Sequence, residues 1–71
     1  FHFTQNLRYG NHNADVAELQ KILIAGGFLK IPAPTGWFGP LTLASVKKYQ
    51  TAHGISATGF VGPLTRAALN Q

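Results

Sequence analysis

The sequence predicts an all-α fold, a compact three-helix bundle, and three observations point to it. Thr35-Gly36-Trp37-Phe38-Gly39-Pro40-Leu41-Thr42 returns as Thr58-Gly59-Phe60-Val61-Gly62-Pro63-Leu64-Thr65, a shift of 23 residues in a chain of 71. A second echo, Val16-x-x-Leu19-Gln20 ahead of Gly27 and Val46-x-x-Tyr49-Gln50 ahead of Gly54, places a glycine stop behind two helical stretches. Apolar residues at i, i+3 and i+7 (Val16, Leu19, Leu23) or at i, i+3 (Val46, Tyr49) give each of those stretches one apolar face. Such internal repetition sets an architecture before any single residue is considered, and two copies are too few for a solenoid.

Taken in order, residues 1–12 form an irregular lead-in and the first helix is expected at about 14–26. Asn13 and Asp15 can each cap it. Asp15 is favoured, because Asp15-Val16-Ala17-Glu18 has the capping-box spacing that lets Glu18 reach back to the cap N–H. Gly27 supplies a left-handed ending, with Phe28 folding back toward Leu23. A loop containing Pro32 and Pro34 then leads into the first repeat. There Gly36 allows the positive φ of a tight turn, Gly39 stands at the N-cap, and Pro40 takes the first helical position. A proline drives its predecessor out of the α region, while its own fixed φ and missing N–H suit a helix start. The second helix runs over about 40–53 and stops at Gly54, with Ile55 folding back near Tyr49. Gly59, Gly62 and Pro63 repeat the device and open a third helix at about 63–70. Its roughly eight residues fall below the 12–15 or so that a helix needs to stand alone, so Ala68 and Leu69 must be held by packing. Short β-like pairing of the repeated turns is compatible with this plan.

The chain has room for one domain, residues 1–71 with a core over about 7–69, and a domain this size buries only about 60% of its unfolded surface. It has no cysteine, so no disulfide or thiolate metal site assists, and the redox compartment is left open. It contains no apolar run of the 18 or so residues needed to span a bilayer, which excludes membrane insertion. Phe1-His2-Phe3-Thr4 has neither the charged region nor the cleavage site of a signal peptide, and there is no initiator methionine. The expectation is a module excised from a longer protein, whose targeting signal lies elsewhere.

The search for catalytic chemistry returns little. Asp15 and Glu18 are the only carboxylates, both in the first turn of a helix, where capping and the helix dipole account for them. His2, His12 and His53 lack the spacing of a metal site. Ser45, His53 and Asp15 include the residue types of a triad, but no nucleophile motif surrounds Ser45. In Gly36-x-x-Gly39-Pro40 the proline stands where a phosphate cradle needs a donor N–H. The expectation is no catalytic residue, no metal and no cofactor, and hence no enzyme.

The run Leu7-x-x-Gly10, Asp15-Val16-x-x-Leu19-Gln20, Gly27, Thr35-Gly36-x-Phe38-Gly39-x-x-Thr42, Val46-x-x-Tyr49-Gln50, Gly54 and Thr58-Gly59-x-x-Gly62-x-x-Thr65 resembles the peptidoglycan-binding domain family. These are small three-helix modules attached to bacterial cell-wall hydrolases and other envelope proteins. The resemblance covers about Leu7 to Leu69. Ser45 replaces the family's usual Ala and Tyr49 its usual Phe; a tyrosine there needs only an outlet for its hydroxyl.

The resemblance implies a non-catalytic module that holds its host protein on murein, by glycan, stem peptide or both, in an extracellular, periplasmic or wall-associated setting. A catalytic or envelope domain of the same host chain is a further candidate partner. Net charge +4 suits an anionic wall, as steering that salt weakens. Sugar rings offer apolar faces and hydroxyl edges, so exposed aromatics beside hydroxyl and amide groups are the candidate contacts. Those are Trp37 and Tyr9, with Gln20, Thr42 and Gln50 as polar motif positions. Alternation turns one of Trp37 and Phe38 inward, and the family pattern keeps Phe at the second place, which leaves Trp37 outward. The structural alternatives are a Trp37 that lids the core and polar residues that hydrogen-bond loop backbone. Leu43 lies off the core face and reads as an exposed apolar spot.

Two other function classes suit a small basic helical domain. A helix-turn-helix DNA reader needs basic and amide residues clustered on one helix, whereas Arg8, Lys21, Lys30, Lys47, Lys48 and Arg66 are spread along the chain, so nucleic acid is not expected. A metalloprotease pro-domain would need a cysteine to plug its zinc, and there is none. A structural spacer or protein-interaction domain with no ligand of its own is the alternative to wall binding.

Overall fold

A computed structural model describes all residues, 1–71, and contains three helices and no sheet. Helix α1 spans Ala14–Ala25, α2 Pro40–Ala52 and α3 Pro63–Leu69, each ending one residue short of the sequence expectation. The ends of α1 and α2 are of the expected kind. Gly27 and Gly54 have φ of 81° and 69°. The Phe28 N–H bonds Leu23 O at 2.8 Å and the Gly27 N–H bonds Ile24 O at 3.1 Å; Ile55 to Gln50 O (2.8 Å) and Gly54 to Thr51 O (3.2 Å) repeat the pair. These are the two bonds of a Schellman ending, made twice.

The helix starts are likewise duplicated. Gly39 (φ −101°, ψ −166°) and Gly62 (φ −101°, ψ −164°) share one extended cap conformation, each followed by its proline. The cap of α1 corrects the expectation: Asn13, not Asp15, holds it, accepting from the Val16 N–H at 2.9 Å. Its backbone explains why. The Asn13 N–H donates to Gly36 O at 3.0 Å, which holds residue 13 extended, and the helix therefore starts one residue before Asp15. Glu18 does not close a capping box but pairs with Lys21 at 2.9 Å.

The core comprises Val16, Leu19 and Leu23 of α1, Val46 and Tyr49 of α2 and Leu69 of α3, closed by Phe3, Leu7, Leu29, Phe38 and Val61. It thus begins at Phe3, ahead of the expected Leu7. The Asn70 side chain secures this end, accepting from the Phe3 N–H at 2.6 Å and donating to Phe3 O at 2.9 Å. Ala68 packs against the core beside Leu69, so the short α3 is held by burial. Leu43, expected in solvent, is half-buried against the core and lies over Gly59, whose missing side chain makes the room.

The expected β-like pairing takes a different form. The repeated turns pair with the lead-in and not with each other, through isolated antiparallel bridges Leu7–Val61 and His12–Trp37. Leu7 and Val61 exchange both backbone bonds, at 3.1 and 2.8 Å, while Gly10 donates to Phe38 O and Phe38 to Asn11 O, each at 2.8 Å. The lead-in is therefore a strap that ties both turns together.

Candidate functional site

Each repeated turn has a polar inside and an apolar outside, and one glutamine from the preceding helix organises it. Gln20 of α1 is buried; its Oε1 accepts from Thr35 N (2.8 Å) and Gly36 N (2.9 Å), and its Nε2 faces Trp37 O (2.9 Å), Thr42 Oγ1 (3.0 Å) and Thr35 Oγ1 (3.2 Å). Gln50 of α2 repeats the arrangement on the second turn. Its Oε1 accepts from Gly59 N (2.9 Å), and its Nε2 faces Phe60 O (3.0 Å), Thr65 Oγ1 (3.1 Å) and Thr58 Oγ1 (3.5 Å). A buried amide left without partners is costly, and here every buried side-chain polar atom has one. Gln20, Thr42 and Gln50, expected among ligand contacts, thus have their polar atoms engaged in holding the turns; they form the floor of the site.

Alternation sets the outside. Phe38 and Val61 are fully buried, so Trp37 and Phe60 point outward, 48% and 42% exposed. The rings are not loose. The Trp37 indole lies across Gly39 so closely that a Cβ there would sit 2.5 to 2.8 Å from ring carbons, and a Cβ on Gly62 would likewise sit 3.0 to 3.2 Å from carbons of the Phe60 ring. The cap glycines therefore serve twice, starting a helix and seating an aromatic ring.

Beside each ring lies a shallow cleft. The first, about 160 Å³, is bounded by Trp37, Pro40, Leu41, Ile31 and Leu29 above Gln20 and Thr42. The second, about 200 Å³, is bounded by Phe60, Pro63, Leu64 and Ile55 above Gln50 and Thr65. Leu41 and Leu64, one residue into their helices after the prolines, are 65% and 73% exposed. Trp37 and Thr35 come together in the first cleft, whereas Tyr9, exposed on the strap, lines neither. Leu41, Phe60 and Leu64 line the clefts and are not among the contacts expected from the sequence. The signal that finds them is the repeat itself, which aligns Phe60 with Trp37 and Leu64 with Leu41.

Ser45 and His53, the triad residue types, are engaged in structural contacts. Ser45 is buried, its Oγ 2.8 Å from Phe28 O and 2.9 Å from Leu41 O. His53 places Nδ1 2.9 Å from Tyr49 O and stacks on the Tyr49 ring at 4.0 Å. No three His, Asp or Glu side chains converge as a metal site would require. Burial raises the Tyr49 phenol above its ordinary value of 10.0. Lys21–Glu18 is the one ion pair, so Arg8, Lys30, Lys47, Lys48 and Arg66 carry charge with no internal carboxylate partner.

Comparison with known proteins places this geometry in a family. The family model of the peptidoglycan binding domain matches residues 12–69. The N-terminal domain of SleB is similar in structure at a TM-score of 0.89, with 29% identity over 97% of this chain and 93% of that one. The Burkholderia AP3 phage endolysin is similar over 92% of this chain and 24% of its own, with 37% identity and a TM-score of 0.83. A peptidoglycan-binding protein from Clostridioides difficile, solved with glutamine hydroxamate, covers 94% of this chain and 41% of its own at 31% identity and a TM-score of 0.84. An uncharacterized protein in the bpoA1 3' region of Kitasatospora aureofaciens is 54% identical over 39 residues, 55% of this chain and 33% of that protein. The match thus spans a third of that relative's length and a quarter of the endolysin's.

Proposed function

The chain belongs to the peptidoglycan binding domain family and is a cell-wall binding module, and we propose that it grips murein through the Trp37 cleft. The observation that carries this is an indole half open to solvent yet fixed in orientation by Gly39, with Leu41 and Thr35 beside it. A sugar ring laid on the indole sets its C–H face against the π surface and its hydroxyls toward the rim, the arrangement that an amphipathic ligand favours on an aromatic platform. The module supplies attachment and no bond cleavage. Hydrolysis or remodelling of the wall belongs to another domain of the host chain, and the module works on the outer side of the membrane, where murein lies.

The test is co-sedimentation with purified insoluble sacculi in moderate salt, run for wild type and Trp37→Ala beside a duplex-DNA binding control. Wild type is expected to pellet, to release no soluble wall fragments and to ignore DNA. Trp37→Ala is expected to bind about tenfold more weakly, close to the loss of one apolar side chain's burial. A folded Trp37→Ala that pellets as well as wild type sinks the platform. Wild type that stays in the supernatant sinks wall binding and favours a spacer.

A further inference from the structure

Of the six large apolar side chains exposed on this domain, four are Trp37, Leu41, Phe60 and Leu64, two equivalent pairs on the two repeats. The second pair has a neighbour that the first lacks. Besides its cleft, Phe60 borders a second hollow, which it shares with Asn6, Arg8 and Asn11. The hollow is built by specific bonds: Asn11 Oδ1 accepts from the Arg8 N–H at 2.9 Å, and Asn6 Oδ1 accepts from Arg66 Nε at 3.0 Å. The Arg8 side chain itself faces no carboxylate of this chain. An aromatic face beside an unpaired guanidinium and two amides suits a ligand part apolar, part amide and ending in a carboxylate, since a guanidinium recognises a carboxylate with two parallel N–H bonds.

We propose that the second repeat is a second murein subsite, in which Phe60 and Leu64 take the apolar part of a stem peptide and Arg8 takes its carboxylate. The inference rests on the wall-binding reading and deepens it. Both turns are tied to the strap between Leu7 and Asn11, and four residues of chain span at most about 14 Å. The two turns are therefore anchored within a short length of one strap, and a polymer that reaches both clefts binds the intact wall more tightly than either cleft alone.

The experiment measures pelleting with intact sacculi, alone and with an excess of soluble stem peptide released from murein by an amidase, for wild type, Phe60→Ala, Leu64→Ala and Arg8→Gln, each checked for folding by circular dichroism. On intact sacculi each variant is expected to bind about tenfold more weakly than wild type. Excess stem peptide is expected to lower wild-type pelleting about tenfold and to leave Arg8→Gln, which lacks the carboxylate's partner, unchanged. If wild type pellets and all three variants pellet equally well, the second subsite is overturned while wall binding stands. If soluble stem peptide displaces Arg8→Gln as readily as wild type, or displaces neither, the stem-peptide assignment is overturned. If wild type does not pellet with intact sacculi in the absence of competitor, the functional reading falls and this inference with it.

Discussion

Replacing Gln20 by alanine tests whether one buried amide holds the first turn in place. The Oε1 atom accepts two backbone N–H bonds, and Nε2, with two hydrogens, serves three acceptors within 3.2 Å, so about four full bonds are lost. At a net of about 0.5–1.5 kcal/mol each the range is about 2–6 kcal/mol. Thr35 and Trp37 are exposed, and water can serve their freed groups, whereas Gly36 and Thr42 are buried and keep their full desolvation cost. The expected loss is therefore about 3 kcal/mol, against a total of about 4–10 kcal/mol for a domain this small. Gln50→Ala is the internal control, because Gln50 accepts one backbone N–H where Gln20 accepts two. It is expected to cost about 1 kcal/mol less. Urea denaturation followed by far-UV circular dichroism measures both. A Gln20→Ala loss under about 1 kcal/mol, or a larger loss at Gln50, would refute the clamp.

Asn13→Ala is expected to cost about 1 kcal/mol, whereas Asp15→Ala, which removes only a favourable charge from the first turn, costs about 0.5 kcal/mol; equal losses in denaturation would return the cap to Asp15. Gly54 and Gly59 both have positive φ, but a Cβ on Gly54 meets open space and one on Gly59 meets Leu43 and Lys47. Gly54→Ala should cost about 1 kcal/mol and Gly59→Ala about 2–4, part of it recovered in a Leu43→Ala background; equal costs would show that Leu43 does not seal the turn. Because the buried Tyr49 phenol ionises less readily than in the unfolded chain, its contribution is full below pH 10.0 and declines as pH rises through the higher folded value. Tyr49→Phe should flatten that alkaline fall, and an unchanged slope would assign it elsewhere.

What was legible in the sequence is what short-range rules govern. Gly27, Gly39, Gly54 and Gly62 act through their own backbone and the next two or three residues, so helix ends could be read directly. The cap of α1 could not, since the choice between Asn13 and Asp15 depends on a bond to Gly36 across the loop. Phe3 was missed for a similar reason: no periodicity marks the lead-in, and its anchor is Asn70, 67 residues away. Gln20 and Gln50 were visible as polar residues on apolar faces. Whether such a residue meets a ligand or a loop is decided by where a turn 15 or so residues later folds, and here the turn folds onto them.

The two repeats invert the usual distribution of side chains, and the inversion has two separable causes. A short turn between helices carries N–H and C=O groups that neither helix satisfies, so it can sit on the core only if a side chain supplies the partners; that requirement puts Gln20 and Gln50 inside. With Phe38 and Val61 committed to the core, alternation then turns residues 37 and 60 outward, whatever their identity. Folding thus fixes the direction of these side chains and leaves their chemistry free, and a serine or lysine would serve as well. Trp37, Phe60, Leu41 and Leu64 instead leave about half or more of each apolar surface in water, where burial would have added about 1 kcal/mol or more apiece to a domain with little stability in hand. A lone exposed leucine needs no explanation. The same exposed pair at the same two positions of both copies does, and contact with a ligand supplies the burial that the fold does not.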